Sequence, residues 1–456
     1  MSHWSLGFVT ELDQCHHRPG TSHQVPSSLR RPVKYAIVTF GCRVNQADSF
    51  GVEGDLRGCG AEAAAVEHAD LVLVNTCSVT ATADQGARQT IRRIARANPA
   101  AKIVVTGCYA TRRPGEIQDM PGVVRLVRNE DKGRLLASIG PDLGLTTPER
   151  FGDGEGGSGL TLRPGAQGRT AYFLRAQTGC DECCAYCIIP STRGPSRSRP
   201  LEDIVAEAYR ASRAGFRELI LTGVHLGSYG RDLRPPRSLL GLLRALDEGG
   251  GDLLYRISSI EPMDCPPAVI DLLAQSGRFA PHVHLPLQHA SDRMLDAMRR
   301  PYSVHSYRRM LDSIRERLPD AAIGTDLIAG FPGETDSDFR RCLDFLDESP
   351  LTSVHVFPYS DRPGTAAAAM TPKVDGETAR ARAGALRARA LDLHRDFQQS
   401  QVGRVRRGLT LEDGTVVLTD NYLKVRIPQG HARNERVDVR LMAAGEPMTG
   451  VVHRGQ

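Results

Sequence analysis

Short continuous apolar runs, each followed by a small or polar turn, recur along most of the chain. Between residues 33 and 140 they fall at Tyr35–Thr39, Leu71–Asn75 and Lys102–Thr106, with helical periodicity near Gln46–Arg57 and Asp84–Ala97 between them. Runs without alternation read as strands buried on both faces, and intervening helices imply a parallel sheet. The same rhythm returns six times further on, with predicted strands Tyr172–Gln177, Glu218–Leu221, Tyr255–Ser259, His282–Leu287, Ala322–Ile328 and Ser353–Phe357. Six βα units fit either a doubly wound sheet or an incomplete barrel. A helix over Gly376–Gln399 follows, with Leu386, Leu391 and Leu393 expected to face a core. After Gly403 the pattern changes to short alternating runs (GTVVLTD, YLKVRIP, RVDVRLM), which predict a small β-barrel.

These changes of pattern divide the chain into a disordered extension (1–32), a parallel-sheet domain (33–140), a Gly-rich linker (141–168), a central βα region (169–399) and a C-terminal barrel (400–456). The 456 residues are 40% hydrophobic and 24% charged, which excludes wholesale disorder. No run approaches the ~20 apolar residues of a membrane span. The first residues lack the basic start and apolar core of a secretory signal, so a cytoplasmic protein without a membrane partner is expected. The net charge of +5 alone implies no nucleic-acid partner, and the large excess of Arg over Lys fits a coding bias better than phosphate binding. Eleven cysteines in such a chain point to metal or catalysis rather than to disulfides.

Three of them stand in GCDECCAYCIIPSTRG, where Cys180, Cys184 and Cys187 form C-x3-C-x2-C. Three thiolates on one loop after a strand can ligate three irons of a 4Fe–4S cluster and leave the fourth open to a small molecule. A zinc site would need Cys183 as well, but Cys183 and Cys184 are adjacent, whereas zinc ribbons separate their cysteine pairs widely. A second set is spread along the sheet domain. Cys42 (FGCRVNQ), Cys77 (NTCSVT) and Cys108 (TGCYA) each follow a predicted strand, at spacings close to one βαβ repeat. All three therefore belong to the carboxyl edge of one parallel sheet, where such sheets bind ligands. They are read as ligands of a second 4Fe–4S cluster, while Cys15, Cys59, Cys183, Cys265 and Cys342 fit neither pattern and are read as structural.

The C-x3-C-x2-C motif with Tyr186 and Ile188-Ile189-Pro190 resembles the radical S-adenosylmethionine superfamily, and more narrowly its methylthiotransferases. The resemblance extends from Tyr35 to the tail. It implies an α/β architecture: a Rossmann-like parallel-sheet domain, a partial (βα)6 TIM-like barrel and a TRAM-like β-barrel that binds RNA. It also implies that the open iron of the loop set chelates S-adenosylmethionine for reductive cleavage to a 5′-deoxyadenosyl radical, and that the sheet set's cluster carries or donates the sulfur. Polar or small residues follow nearly every central strand. Of these, Gly223, Ser259, Gln288 and Asp326 are the expected S-adenosylmethionine pocket, and Gly330–Glu334 a wall for the adenine. His284, His289 and His355 are read as structural hydrogen-bonders.

Family members act on isopentenyladenosine or threonylcarbamoyladenosine beside the tRNA anticodon, or on an aspartate of ribosomal protein S12. FGCRVNQADS, HVFPYSDRPGT and LTDNYLKV resemble the threonylcarbamoyladenosine branch, whereas LQHASD at 287–292 is closer to the ribosomal-protein branch. The expectation is methylthio transfer to C2 of N6-threonylcarbamoyladenosine at position 37, with an electron donor and a sulfur source as unidentified partners. The tail supplies +3 of the net charge and places Tyr422 exposed on a strand, which suits phosphate contact and stacking. A non-catalytic iron–sulfur scaffold or RNA-binding factor is the alternative of another class.

Overall fold

The apolar runs of the first third pair as a sheet whose two faces are both covered. β1 (Lys34–Thr39), β2 (Glu62–Ala63), β3 (Leu71–Thr76), β4 (Lys102–Gly107) and β5 (Val123–Val127) are parallel, in the order β2-β1-β3-β4-β5. Successive side chains of a strand point to opposite faces. Val72, Val74, Ile103 and Val105 accordingly pack with Ile91 and Ile94 of helix Ala81–Ala97, while Leu71, Leu73 and Val104 pack with Val52 and Leu56 of helix Arg43–Gly58. β2 and β5 were not expected. β2 is two residues long, and β5 is a half-exposed edge strand carrying Arg125. The computed structural model describes residues 31–143, 145, 163–165, 169–249 and 251–453. The expected extension over 1–32, apart from its last two residues, lies outside the described residues, as does most of the expected linker over 141–168.

The central strands are β6 (Tyr172–Arg175), β9 (Glu218–Thr222), β10 (Leu254–Ile257), β11 (His282–His284), β12 (Ala322–Ala329) and β13 (Ser353–Pro358), with a short antiparallel ribbon of β7 (Gln177–Thr178) and β8 (Arg197–Ser198) after β6. Two parallel ladders, β6-β9-β10 and β11-β12-β13, are joined by bridges Tyr255–Phe279 and Ser259–His284. Strand order follows chain order without a reversal, so the doubly wound alternative is excluded and the partial barrel stands. Among the described residues no helix is long and apolar enough to cross a membrane.

Helix Gly376–Gln401 closes the barrel region with Leu386 and Leu393 buried, but Leu391 is 53% exposed, contrary to expectation. Positions 386 and 393 lie two turns apart on one face, whereas 391 is rotated about 140° from 386. The tail forms a closed five-stranded barrel of β14 (Val405–Leu411), β15 (Val416–Thr419), β16 (Lys424–Arg426), β17 (Arg436–Ala443) and β18 (Met448–Val452), with Val417, Val425, Val439 and Leu441 at its centre. It docks on the central barrel through Arg256 of β10. This fully buried side chain donates from Nε to Glu218 (2.8 Å) and from Nη1 to the carbonyl of Asp420 (2.9 Å). Tyr422 is not on a strand. It occupies a turn at φ +70°, where its ring lies 4.6 Å from that of His282 and 4.9 Å from the Arg256 guanidinium, and its hydroxyl accepts from Arg43 Nη2 at 3.2 Å. Part of the tail's positive charge is spent in the same seam: Arg404 and Arg406 pair with Asp320 and Arg436 with Asp252, while Lys424 and Arg426 face outward from β16.

The first sheet is joined to the central barrel by helix Arg43–Gly58. Phe50 of that helix is buried in the barrel's own core, edge-on to Tyr172 (5.7 Å) and Phe173 (5.6 Å) of β6. Phe50→Ala therefore leaves a cavity in a shared core and should destabilise the full chain by about 3–5 kcal/mol in urea unfolding. A loss below about 1 kcal/mol would mean that the two layers do not share that core.

Candidate active site

Register brings the sheet cysteines together. Thr39 pairs with Asn75, Asn75 with Thr106 and Thr76 with Gly107, so the chain leaves β1, β3 and β4 at one level. Cys77 and Cys108 are the next residues after their strands, and Cys42 precedes helix Arg43–Gly58. Two glycines permit the approach. Gly107, at φ +100°, would place a Cβ 2.2 Å from the carbonyl oxygen of Thr76, and Gly41, at φ +89°, would place one 2.7 Å from Cys77 Sγ. Buried amides pin the turns: Asn45 Nδ2 donates to the carbonyls of Phe40 (2.8 Å) and Thr76 (3.0 Å), and Asn75 Nδ2 donates to the carbonyl of Asn45 (2.8 Å). Cys77 is buried and Cys42 exposed. Burial pushes the Cys77 thiol up to about 11, and the neighbouring Cys108 and Cys42 add to the shift.

Beside this set lies a charge cluster that the sequence did not disclose. Asp48 accepts from Lys132 Nζ (2.7 Å), Arg175 Nη1 (2.6 Å) and Arg193 Nη2 (3.0 Å), and the side chains of Asp48 and Arg193 are each 3% exposed. Burial alone would raise its carboxyl, but the three cations outweigh that and hold it well below the usual carboxylate range. Arg193 also donates to Asn45, and Cys108 and Cys42 lie near enough to act on its charge. Asn129 Nδ2 donates to the carbonyl of Thr192 at 2.8 Å and approaches Cys108 Sγ at 3.6 Å.

The loop set is built on a turn after β7. Cys180 N donates to the carbonyl of Gly194 (3.1 Å), Ala185 N to that of Met298 (3.0 Å) and Cys187 N to that of Cys184 (3.1 Å). Each sulfur has a donor. His225 Nδ1 is 3.8 Å from Cys180 Sγ, Arg300 Nη1 donates to Cys184 Sγ at 3.1 Å, and Ile189 N donates to Cys187 Sγ at 3.4 Å. Both cations carry a counter-charge, Asp264 on His225 and Glu261 on Arg300. Burial pushes Cys187 up to about 12 and raises Cys184, the latter opposed by Arg300. Cys183, by contrast, is exposed, with its sulfur 4.0 Å from the carbonyl of Asp181, so it stands apart from its neighbours.

A cavity of about 240 Å³ lies between Cys187 of the loop set and residues 79 and 80, which follow Cys77 of the sheet set. Tyr186, Cys187, Ile188 and Ile189 form one wall, and Gln288, Asp326 and Ile328 come from the barrel. Residues 357–360 come from the end of β13 and the two residues after it, and Val79 and Thr80 come from the turn two residues beyond Cys77. Of the four expected pocket residues, Gln288 and Asp326 line this cavity. Gly223 packs against Gln177, and Ser259 is exposed. Asp326 accepts from His284 Nε2 (3.0 Å) and His355 Nδ1 (3.1 Å), a set whose ligand atoms all fall within 4.8 Å and could hold a cation. Within the LQHASD stretch, Gln288 lines the cavity while its neighbour turns away. His289 is fully buried, 3.4 Å from Cys342 Sγ and 3.7 Å from Glu334, so it faces the core rather than the cavity.

The thiolate is the reactive form of cysteine. In metal-free protein near pH 8, a short iodoacetamide pulse should label Cys183 and Cys42 first. Cys77 and Cys187 should lag by at least about tenfold, each raised pKa unit removing a factor of ten in thiolate. Peptide mapping by mass spectrometry checks this, and equal labelling of Cys187 and Cys183 would contradict the burial of the loop set.

Residues 34–128 match the uncharacterized protein family UPF0004, and residues 174–346 match the radical SAM superfamily. The chain is 35% identical to the threonylcarbamoyladenosine tRNA methylthiotransferase MtaB of Bacillus subtilis over 90% of its own length and 94% of that protein. It is 34% identical to the tRNA-2-methylthio-N(6)-dimethylallyladenosine synthase of Sphingopyxis alaskensis over 92% and 97%. Among solved structures, the radical S-adenosylmethionine methyltransferase TsrM from Kitasatospora setae, with cobalamin and a [4Fe-4S] cluster bound, superposes with a TM-score of 0.52 at 16% identity over 74% of each chain, a likeness of fold. With near full-length similarity to two kinds of methylthiotransferase, the chain belongs to the radical S-adenosylmethionine tRNA methylthiotransferase family, enzymes that transfer a sulfur-containing group using S-adenosylmethionine and 4Fe–4S clusters.

Proposed function

We propose that this enzyme adds a methylthio group to C2 of N6-threonylcarbamoyladenosine at position 37 of tRNA. Cys180, Cys184 and Cys187 hold the radical cluster, and Cys42, Cys77 and Cys108 hold an auxiliary 4Fe–4S cluster. The observation that carries this reading is a cavity lined by Cys187 on one side and by Val79 and Thr80, just beyond Cys77, on the other. The residues fit the groups. Each set offers three sulfurs, one short of four, which leaves an iron for a small ligand. Beside the sheet set, buried Lys132 and Arg193 outnumber the single charge of Asp48, and thiolate ligands would neutralise the excess.

When bound, the two clusters supply the electron that opens the sulfonium of S-adenosylmethionine and the sulfur that is transferred. The protein's part is position and exclusion of water. Arg300 and His225, each backed by a carboxylate, hold Cys184 and Cys180 in place. Gln288 and Asp326 supply polar groups for S-adenosylmethionine on walls that are otherwise largely apolar. Gly223 and Ser259 do not line this cavity. The C-terminal barrel offers Lys424 and Arg426 to RNA phosphates. An electron donor and a sulfur source enter as separate partners.

The threonylcarbamoyl target is supported by the sequence resemblances and by the MtaB relatives of Bacillus subtilis and Aquifex aeolicus. A second reading, N6-dimethylallyladenosine, is favoured by the apolar walls Val79, Ile188, Ile328 and Phe357 and by relatives of similar identity. Nucleoside mass spectrometry of tRNA from a deletion strain separates them: loss of 2-methylthio-N6-threonylcarbamoyladenosine is expected, and loss of the dimethylallyl product alone would favour the second reading. Cys77→Ala should still release 5′-deoxyadenosine but yield no methylthiolated nucleoside, whereas alanine at Cys180, Cys184 and Cys187 together should stop both. Deoxyadenosine release from that triple variant would refute the assignment, and its absence from the wild-type protein would favour a scaffold.

A further inference from the structure

Every cysteine-bearing turn of the sheet is held by a polar contact from the central barrel. The turn of Cys42 leads into the helix carrying Asp48, which binds Arg193 at 3.0 Å. The turn of Cys77 leads into helix Ala81–Ala97, whose Asp84 pairs with Arg362, and Arg362 Nη2 also donates to Ser78 Oγ at 3.0 Å. Cys108 is reached through Asn129, which binds the carbonyl of Thr192. Both arginines are almost wholly buried, with side chains 3% and 4% exposed. Such contacts are geometrically demanding, because a buried charge is stable only when its partner is in place. Arg193 is also six residues from Cys187, on the short helix Ile189–Arg193 that ends the loop set. The segment 187–193 thus runs from one cysteine set to the carboxylate beside the other.

We propose that Arg193 and Arg362 are positioning residues that clamp the sheet's cysteine turns to the central barrel and so fix the separation of the two cysteine sets across their shared cavity. The inference rests on the reading of both sets as cluster ligands and goes beyond it. Holding iron is local to each set, but passing a sulfur group to a carbon activated at the other set depends on the distance between them. Loosening the clamp should leave both clusters and radical formation in place and uncouple them from product. Neither arginine has a hydrogen bond to a cysteine of the loop set or lines the 240 Å³ cavity.

The test uses the full chain with clusters reconstituted anaerobically, comparing the wild-type protein with Arg362→Met, with Arg193→Lys, which keeps the positive charge beside the sheet set but loses the guanidinium fork, and with the double variant. Iron content should stay near the wild-type value. Methylthiolated product per 5′-deoxyadenosine should fall about tenfold or more in the double variant, since small misplacements of reacting groups cost that much. The magnetic interaction between the two reduced clusters, read by electron paramagnetic resonance, should weaken or broaden in the same variants. Each single variant should retain part of both signals. If removing the buried guanidinium prevents folding, Asn129→Ala is the milder probe and should move both readouts in the same direction. An unchanged product ratio with an unchanged cluster interaction would overturn the proposal. A wild-type protein with only about four irons would overturn the two-cluster reading, and the clamp with it.

Discussion

Asp48 is a carboxylate in a place where no carboxylate can remain unpaired. Removing an ionised group from water costs several kcal/mol even after relaxation, and the cost is offset only by well-placed partners. Here the partners come from three different stretches of chain: Lys132 from the first sheet's own layer, Arg175 from the first barrel strand and Arg193 from the loop that carries Cys187. The ring of ion pairs therefore closes only when the sheet, the barrel and the cysteine loop are assembled together. Phe50, two residues further along the same helix, sets the apolar part of that contact in the barrel core. Polar and apolar contacts on one helix thus fix how the Cys42 turn faces the rest of the site.

The chemistry inherits this constraint. Parallel strands in register deliver three thiols to one edge, and the seam with the barrel decides what that edge faces. Buried thiols such as Cys77 and Cys187 resist deprotonation, yet metal ligation requires it, so iron binding releases protons and depends on pH. Arg300 opposes the effect of burial on Cys184, and Arg193 places a fixed positive charge near Cys42 and Cys108. The sulfurs are consequently prepared for a negatively charged assembly rather than for a neutral apolar core.

Much of this was legible in the chain. Continuous apolar runs located the central strands to within a few residues, because a strand buried on both faces has little freedom in composition. The spacing of Cys42, Cys77 and Cys108 matched one βαβ repeat, so topology carried them to one edge. Strand order was less accessible: periodicity reports which residues are buried but not which strands are neighbours, and a partial barrel could not be distinguished from a doubly wound sheet by pattern alone. β5 escaped notice because an edge strand bearing Arg125 lacks a continuous apolar run. Tyr422 is exposed as expected but stands in a turn rather than on a strand, with one side of its ring against His282 and Arg256. Asp48, Asn45 and Lys132 gave no sequence signal, since a buried ion pair between distant segments leaves no local pattern. His289, read as a structural hydrogen-bonder, is buried against Cys342.

The claim on which the rest turns is that two separate cysteine sets hold two clusters beside one cavity. Mössbauer spectroscopy with iron quantification on the anaerobically reconstituted full chain tests it most directly. The account predicts about eight irons in two 4Fe–4S environments, falling to about four in a single environment when Cys42, Cys77 and Cys108 are replaced by alanine. About four irons in the wild-type protein, or no loss in that variant, would contradict it.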